Sequence, residues 1–223
     1  MIVIKNLVKK YNTTDETIIP VNDLNFSVND YEFISLMGRS GAGKTTILSL
    51  LAGIITPDSG KIFIDDIELS SLGDRERAVF RRENIGMVFQ DYLLDESLTV
   101  YQNIEVSLMI SGISKKQRIE LIENSLERTG LIEKKNEKVM HLSGGEKQRT
   151  GIARAIVKKP KYILADEPCG NLDEDNTYQM LNMLKGFSTS KEASVIMVTH
   201  NPADAEFTDR ILYLKDGKIT GQK

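Results

Sequence analysis

The chain has 223 residues, of which 40% are hydrophobic and 27% are charged, and its formal net charge is −3. These values describe a soluble globular protein, built as one large domain or as one domain with an inserted lobe, that can bury a substantial core. They exclude a general electrostatic attraction to nucleic acid, although a local basic patch stays possible.

The cysteine content and the lengths of the apolar runs indicate in which cellular compartment the chain is found. Cys169 is the only cysteine, so no internal disulfide can form, which suits a reducing compartment. No apolar run approaches the ~20 residues that a membrane-spanning helix needs, and the apolar run within residues 1–5 is too short for a secretory signal. We therefore expect a soluble, cytosolic chain that reaches a membrane only through a partner.

Apolar runs and helical spacing predict strands and helices that alternate along the chain. In the first half they predict strands at 2–4, 24–28, 33–37, 61–67 and 85–89 and a helix over 46–54. In the second half they predict helices over 146–159 and 174–185, strands at 162–165 and 194–198, and a hairpin from residue 211 with an Asp216-Gly217 turn. This alternation favours a mainly parallel sheet covered on both faces, to which the ends of the chain can add antiparallel strands.

The same spacing predicts which side chains face inward. The buried faces are expected to be formed by Ile47, Leu48, Leu51 and Ile54 in the first helix, and by Tyr178, Leu181 and Leu184 in the last. Tyr11 falls in a polar stretch between the first two strands.

The middle of the chain has a different character. From about residue 101 to residue 130 the pattern is helical and strongly charged, with a helix start at Ser114 and a C-terminal cap at Gly130. One apolar stripe on this helix is formed by Ile119, Ile122 and Leu126. We therefore predict a single domain, 1–223, in which a helical lobe at roughly 91–142 is inserted into an α/β core.

The stretch 38–45, GRSGAGKT, fits the pattern G-x-x-x-x-G-K-[ST] of a loop that wraps nucleotide phosphates. Its glycines let the backbone turn so that its N–H groups point inward, where bulkier residues would clash. Lys44 supplies a positive charge for the β- and γ-phosphates, and the Thr45 hydroxyl can ligate Mg²⁺. A strand precedes the loop and a helix follows it, which favours an anion at the helix N-terminus over a chance glycine-rich turn. The predicted phosphate-binding residues are Gly38, Arg39, Ser40, Gly41, Ala42, Gly43, Lys44, Thr45 and Thr46.

A second chemical feature is the octet LSGGEKQR at 142–149. Locally, Ser143 can cap a helix and Glu146 can complete a capping box. That local structure does not explain Gly144 and Gly145, which leave backbone N–H groups bare ahead of a helix and so form a second anion site. Because the loop at 38–45 already surrounds one nucleotide's phosphates, the second turn suggests a composite site that another copy of the chain completes.

The octet at 142–149, together with the loop at 38–45, resembles the nucleotide-binding subunit of an ATP-binding cassette (ABC) transporter, and the match runs over essentially the whole chain. This resemblance implies a P-loop NTPase core with a mainly parallel sheet, an antiparallel β portion and the inserted helical lobe. It implies an ATPase that uses ATP and Mg²⁺, at the cytoplasmic face of a membrane beside an integral membrane permease, with no nucleic acid partner. In that family two subunits pair head to tail and sandwich two ATP molecules. Each ATP lies between the phosphate loop of one subunit and the signature turn of the other, which corresponds to 143–145 in this chain.

The resemblance also assigns the residues around the γ-phosphate. Asp166 resembles the acid that holds the Mg²⁺ hydration shell, and Glu167 resembles the general base that polarises the attacking water. Without the phosphate loop, this pair would be read as an ordinary solvated turn. Gln90 resembles the glutamine that touches Mg²⁺ or water. His200 resembles the switch histidine that reaches the γ-phosphate.

Two further residues are assigned in the same way. Asp173, at the end of 170–173, resembles the loop residue that crosses the dimer contact and links the two sites. Tyr11 resembles the aromatic residue that stacks on adenine, with a half-buried surface tyrosine as the alternative.

The run DEPCGNLD at 166–173 is similar to a subgroup of macrolide-efflux, lipoprotein-release, antimicrobial-peptide-resistance and cell-division ATPases, which often transmit force to an extracytoplasmic domain. At position 169 this chain has cysteine, where that subgroup usually has threonine.

Two other functions are alternatives to a transporter ATPase. A soluble ABC protein acting on ribosomes or DNA fits badly, because the chain has one cassette and no long heptad run. A P-loop kinase or other phosphotransferase is disfavoured by the octet.

Overall fold

The structure is a computed structural model that describes residues 1–14 and 16–223. In chain order its strands and main helices are β1 (Ile2–Asn12), β2 (Thr17–Val28), β3 (Phe33–Met37), α1 (Lys44–Leu51), β4 (Ser59–Ile64), β5 (Ile67–Glu68), α2 (Asp74–Asn84), β6 (Ile85–Phe89), α3 (Val100–Ile110), α4 (Lys115–Arg128), α5 (Gly144–Ile156), β7 (Tyr162–Asp166), α6 (Glu174–Thr189), β8 (Ser194–Thr199), α7 (Pro202–Ala205), β9 (Arg210–Lys215) and β10 (Lys218–Gln222). Short 3-10 helices lie at Leu69–Ser71, Ile132–Lys134 and Val139–His141.

The larger sheet has the strand order β10-β9-β3-β8-β7-β6. All neighbours in it are parallel except β10, which runs antiparallel to β9. The largely apolar runs 33–36 and 194–199 are buried on both faces, which is the pattern of strands inside a parallel sheet. Because parallel strands end at the same edge, the loops that follow β3, β6, β7, β8 and β9 meet there.

The smaller sheet is antiparallel, with the order β2-β1-β4-β5. Helix α1 lies between the two sheets, and its apolar face joins both into one core. Representative buried members of this core are Ile2, Leu24, Ile47, Leu51, Leu164 and Ile196. Helices α5 and α6 cover the opposite face of the larger sheet through a second core that includes Ile152, Leu181, Leu184 and Val195. The mixed α/β fold with parallel and antiparallel sheets confirms the predicted fold class.

Helices α3 and α4 surround a third apolar cluster, formed by residues such as Val100, Ile104, Ile122, Leu126 and Val139. Ala153 and Val157 contribute to the same cluster, so α5 joins these helices to the rest of the chain. Thr99 caps α3 and Ser114 caps α4, and Gly130 has a φ of 67° directly after the end of α4. The bounds of the inserted lobe, 91–142, stay a prediction.

Three predicted strands are wrong in detail. The first two strands are much longer than 2–4 and 24–28, and Tyr11 lies inside β1, opposite Ile18, and not in a polar loop between strands. Irregular pairing along β1, with Asn6 at a φ of 47°, breaks the alternation that would have revealed its length. The predicted strand at 61–67 is two strands, because the chain reverses at Asp65 and Asp66 and pairs Ile67 with Ile64.

Three side chains that were expected inside are exposed. Helix α1 ends at Leu51, and Gly53 turns the chain with a φ of 63°, so Ile54 lies beyond the helix and is 51% exposed. Tyr178 is 61% exposed and meets the Phe207 ring edge-on, while Leu181 and Leu184 are buried as predicted. Ile119 is 42% exposed because the buried face of α4 is narrower than predicted and is formed by Ile122 and Leu126.

Candidate nucleotide-binding and catalytic site

A cleft of about 1250 Å³ opens at the carboxyl edge of the larger sheet. Five parallel strands contribute to its walls, each through the residues that follow or end the strand. The walls are formed by most of the phosphate loop (38–45) and by Gln90, Asp91, Asp166, Glu167, His200 and residues 213–216. The structure therefore brings together residues that are more than 160 positions apart in the sequence, between Gly38 and His200.

The phosphate loop is held in a conformation that requires glycine. Gly41 and Gly43 have φ values of 77° and 97°, in the left-handed region that side chains disfavour. A Cβ atom on Gly43 would lie 1.9 Å from the Pro20 carbonyl oxygen, and one on Gly38 would lie 2.7 Å from the Leu214 carbonyl oxygen. The loop is thus enclosed by β2 on one side and by β9 on the other. Its last glycine is the N-cap of α1, so the N-terminal dipole of that helix faces the cleft.

Lys44 is 6% exposed and its ammonium group lies inside the loop. Its Nζ atom donates to the Gly38 carbonyl at 2.7 Å and to the Arg39 carbonyl at 3.1 Å, and it lies 3.4 Å from Oε1 of Glu167. The lysine therefore holds a positive charge between the loop backbone and the strand-end carboxylate, where it can meet phosphate oxygens.

Thr45 and Asp166 form a pair of oxygen donors at the same edge. The Thr45 hydroxyl donates to Oδ1 of Asp166 at 3.3 Å, because Asp166 ends β7 and Thr45 lies nearby in the first turn of α1. Burial raises the pKa of Asp166; the Thr45 hydrogen bond opposes this shift, Glu167 adds to it and Lys44 opposes it.

This donor set fits Mg²⁺. Hydroxyl, carboxylate and amide oxygens from Thr45, Asp166 and Gln90 all border the cleft, and Mg²⁺ prefers hard oxygen ligands. Residues 1–14 and 16–223 contain no group of three His, Cys, Asp or Glu side chains able to cage a metal by themselves. Mg²⁺ is commonly bound through one or two carboxylates together with substrate phosphates, which suits such a partial set.

Glu167 and His200 form a hydrogen-bonded pair. Oε2 of Glu167 lies 2.8 Å from Nδ1 of His200, while Oε1 of the same carboxylate faces Lys44. Glu167 has a φ of 44°, and its N–H donates to the Val198 carbonyl at 3.0 Å. This left-handed turn directs the carboxylate away from the line of β7, so the acids at 166 and 167 face different partners. The pair has the geometry of a base whose orientation a second group fixes.

Two features of the cleft have no counterpart in the sequence-based predictions. Residues 213–216 line the cleft because β9 neighbours β3, and strand order is not visible in the sequence. Arg154 of α5 donates to the main-chain oxygens of Tyr92, at 2.8 Å, and Leu93. Tyr92 and Leu93 have φ values of 60° and 49°, so the guanidinium binds two strained residues just after Gln90.

The signature turn, Ser143–Gly145, lies apart from the cleft and does not line it. Ser143 caps α5, and its N–H donates to Glu146 Oε2 at 2.8 Å, which completes the predicted capping box. That backbone hydrogen bond is the main reason why the pKa of Glu146 is lowered. Ser143 and Gly144 are exposed, while a Cβ on Gly145 would lie 2.2 Å from Oδ1 of Asn176.

Asp173 is also outside the cleft, close to the signature turn. It caps α6 by accepting from the Asn176 N–H at 2.8 Å, and its two carboxylate oxygens each accept from the Asn176 side chain at 2.9 Å. Asn176 in turn accepts from Arg149 of α5 at 3.3 Å. The loop at 170–173 and the helix behind the signature turn are therefore connected through one asparagine.

Tyr11 does not border the cleft either. Its ring is 42% exposed near the end of β1, with Lys9 Nζ 5.5 Å from the ring centroid. Both the adenine-stacking role and the surface-tyrosine alternative stay predictions.

A phosphate loop on a helix N-terminus, oxygen donors of the type that Mg²⁺ takes, and a carboxylate–imidazole pair meet in one cleft. This combination, on a mainly parallel sheet, defines the class of P-loop nucleotide-hydrolysing proteins.

Residues 21–170 match the family described as ABC transporter, and the chain belongs to that family. It is 36% identical to the lipoprotein-releasing system ATP-binding protein LolD of Wigglesworthia glossinidia brevipalpis, over 96% of this chain and 94% of that protein. It is also 36% identical to the bacitracin export ATP-binding protein BceA of Halalkalibacterium halodurans, over 97% of this chain and 86% of that protein.

Among solved structures, the chain is similar to the ATP-binding cassette MJ0796 of Methanocaldococcus jannaschii in a dimeric post-hydrolysis state bound to ADP and phosphate. The TM-score is 0.92 and the identity 35%, over 100% of this chain and 98% of that one. The predicted family, subgroup resemblance and ATPase activity are confirmed. The chain is an ATP-binding, ATP-hydrolysing cassette.

None of the helices in residues 1–14 and 16–223 combines the length and the apolar content that crossing a bilayer requires.

Proposed function

We propose that this chain is the ATP-hydrolysing subunit of a membrane transporter or mechanotransmission complex, and that it works as a head-to-tail homodimer. The observation that carries the proposal is the separation of its two anion sites. The phosphate loop opens into the cleft, whereas Ser143 and Gly144 are exposed at the N-terminus of a different helix. A two-fold pairing can place the exposed turn of each copy against the cleft of the other.

Within the cleft, the chain's own residues would divide the work of phosphoryl transfer to water. Lys44 and the loop N–H groups would hold the β- and γ-phosphates, and Thr45, Asp166 and Gln90 would hold Mg²⁺. A bound Mg²⁺ would neutralise the negative charge on the phosphate oxygens. Glu167 would orient the attacking water, and His200, which its 2.8 Å contact holds against Glu167, would reach the γ-phosphate.

Closing and opening of the pair would convert this chemistry into work. In the closed pair the signature turn of the partner adds backbone N–H groups to the γ-phosphate, and hydrolysis removes the group that both copies hold. Product release then accompanies opening. Asp173 lies beside the signature helix through Asn176, which supports a role in communication between the two sites.

The partner we propose is an integral membrane permease, with the chain bound at the cytoplasmic face of the membrane. Similarity to a lipoprotein-releasing protein and to a bacitracin export protein supports this placement and the subgroup. The formal charge of −3 gives no support to a nucleic acid partner.

A pull-down tests the transporter function. The tagged chain is used to capture partners from detergent-solubilised membranes of its own organism, with ATP and with ADP, and Lys44→Ala serves as the matched control for nucleotide dependence. We expect recovery of a protein with several membrane-spanning helices. Recovery of ribosomal proteins or DNA in place of a membrane protein would contradict the proposal and favour a soluble ABC protein.

A further inference from the structure

Asp204 is a buried carboxylate beside the catalytic pair. It lies in the short helix α7, four residues after His200, and is 6% exposed. Among residues 1–14 and 16–223 it is the only buried aspartate or glutamate. It borders a second cleft, of about 480 Å³, whose walls also include Glu167, Cys169 and His200. A carboxylate buried this deeply is costly unless hydrogen bonds compensate it.

The compensating bonds come from the two residues that flank His200. Oδ1 of Asp204 accepts from the Asn201 side chain at 3.0 Å, and Oδ2 accepts a longer bond from the Thr199 hydroxyl at 3.4 Å. The same Thr199 oxygen accepts from the Asn201 N–H at 3.0 Å. These bonds close a ring around the backbone at position 200.

His200 itself has little else to hold it. Its side chain is 62% exposed, and the 2.8 Å contact with Glu167 is its hydrogen bond in the structure. The direction of the imidazole therefore depends on the backbone between Thr199 and Asn201. Helix capping does not account for Asp204, because Asn201 already caps α7 by accepting from the Ala203 N–H at 3.0 Å.

We propose that Asp204 is a positioning residue for His200, which fixes the imidazole against Glu167 by binding both neighbours of the histidine. This inference rests on the proposed role of His200 in hydrolysis. Asp204 does not line the cleft that contains the phosphate loop; in this proposal it acts on the backbone that carries the imidazole.

The test is a double-mutant cycle with steady-state ATPase kinetics. We expect Asp204→Ala to lower kcat about tenfold, as small misplacements of a catalytic group do, with KM for ATP within about twofold. In Asp204→Asn the new amide oxygen can still accept from the Asn201 side chain, and the new amide nitrogen can donate to the Thr199 hydroxyl. The kcat of this variant should therefore stay within about threefold of the wild type. In a His200→Ala background, Asp204→Ala should cause no further loss, because both substitutions remove the same function.

Two more variants are needed: Thr199→Val as a second test of the ring, and Asp209→Ala as a control for stability. Thr199→Val keeps the shape of the side chain but removes both bonds that the Thr199 hydroxyl makes in the ring. It should therefore lower kcat in the same direction as Asp204→Ala, and it tests the proposal even if Asp204→Ala folds poorly. Asp209 accepts from the Phe33 N–H at 2.9 Å outside the catalytic cleft, so Asp209→Ala should lower the midpoint of thermal unfolding while kcat is unchanged.

Each contrary outcome is distinct. Multiplicative losses for Asp204→Ala and His200→Ala would overturn the inference and leave the role of His200 intact. An equal loss of kcat in Asp204→Ala and Asp209→Ala would reduce Asp204 to a structural residue. Full activity in His200→Ala would remove the proposed role of His200, and with it the role of Asp204.

Discussion

The cleft and the signature turn each include a helix N-terminus, where we propose that they bind anions, but they differ in what surrounds them. Five parallel strands end at the cleft and bring Lys44, Thr45, Asp166, Glu167 and His200 into contact with one another. The turn at 143–145 has a capped helix behind it, yet no catalytic carboxylate, histidine or lysine of the cleft lies beside it in the described residues.

This difference indicates a division of labour. In the function that we propose, the cleft holds the groups that act on the γ-phosphate, whereas the turn offers only backbone N–H groups and a hydroxyl. An anion site without chemistry of its own is useful when it completes another site. Two of the tests below separate the two regions: the comparison of Lys44→Ala with Gly144→Asp, and the mixing of these two variants.

The largest expected effect comes from Glu167→Gln, which removes the base and keeps the shape. We expect steady-state ATP hydrolysis to fall by about 10²-fold or more, the usual worth of general-base catalysis, while ATP affinity is retained. Phosphate release and fluorescent-nucleotide binding measure the two quantities. Glu206→Gln is the matched control and should leave hydrolysis unchanged, because this side chain is 70% exposed and borders neither cleft. Unchanged hydrolysis in Glu167→Gln would refute the assignment.

Lys44→Ala and Gly144→Asp should separate binding from pairing. Lys44→Ala removes the cation inside the loop, so ATP affinity of the single chain should fall about tenfold or more. Gly144→Asp places a negative charge in the exposed turn, which the helix dipole tolerates but a phosphate does not. In the Glu167→Gln background it should leave single-chain affinity unchanged and abolish the ATP-dependent dimer, measured by light scattering. A dimer that persists in Gly144→Asp would place the turn outside the interface.

Gly43→Ala tests the close approach of β2 to the phosphate loop. The new Cβ would lie 1.9 Å from the Pro20 carbonyl oxygen at a φ of 97°, so the loop must move and ATP binding should be severely weakened. Gly130→Ala is the control: its φ is 67°, but nothing lies within 4 Å of the added carbon. It should cost only about 1 kcal/mol of stability, the penalty of a left-handed side chain, without affecting ATP. Equal ATP affinity in the two variants would contradict the enclosed loop.

The smallest effect is expected for a substitution of Asp65. This residue lies away from both the cleft and the signature turn, so the substitution should change stability alone. Burial by itself would raise its pKa, but hydrogen bonds from the amino terminus, Tyr162 and Lys161 dominate and lower the pKa to about 2 from 3.8. The folded state thus favours the ionised form, and this stabilisation is complete above pH 3.8 and lost as the pH falls towards 2. In urea unfolding, wild type should exceed Asp65→Asn in midpoint at pH 6, and the gap should narrow below pH 3.8. A gap that widens on acidification would reverse the assignment.

Much of the fold and of the candidate site could be predicted from the sequence. Largely apolar runs that end in polar groups predict the buried strands at 33–37 and 85–89 and mark the site residues that follow them. The phosphate loop and the capping box depend on short-range spacing, which a sequence displays directly.

The remaining features depend on long-range arrangement. Residues 213–216 lie near the phosphate loop because β9 neighbours β3 in the sheet. The hydrogen bond from Arg154 to the Tyr92 carbonyl depends on a backbone conformation that neither residue type indicates. Asp204 belongs to no motif, and its contacts with Thr199 and Asn201 exist only once α7 folds back beside β8. The length of β1 was hidden because its pairing is irregular.

Mixing two inactive variants tests the division between cleft and turn most directly. Lys44→Ala chains keep an intact turn and Gly144→Asp chains keep an intact cleft, so neither variant alone can form a complete site. If the site is shared head to tail, an equal mixture forms mixed dimers with one intact site, and ATP hydrolysis should return to about a quarter of the wild-type rate. If the mixture hydrolyses no more ATP than the two variants measured separately, the turn of one chain does not complete the cleft of another.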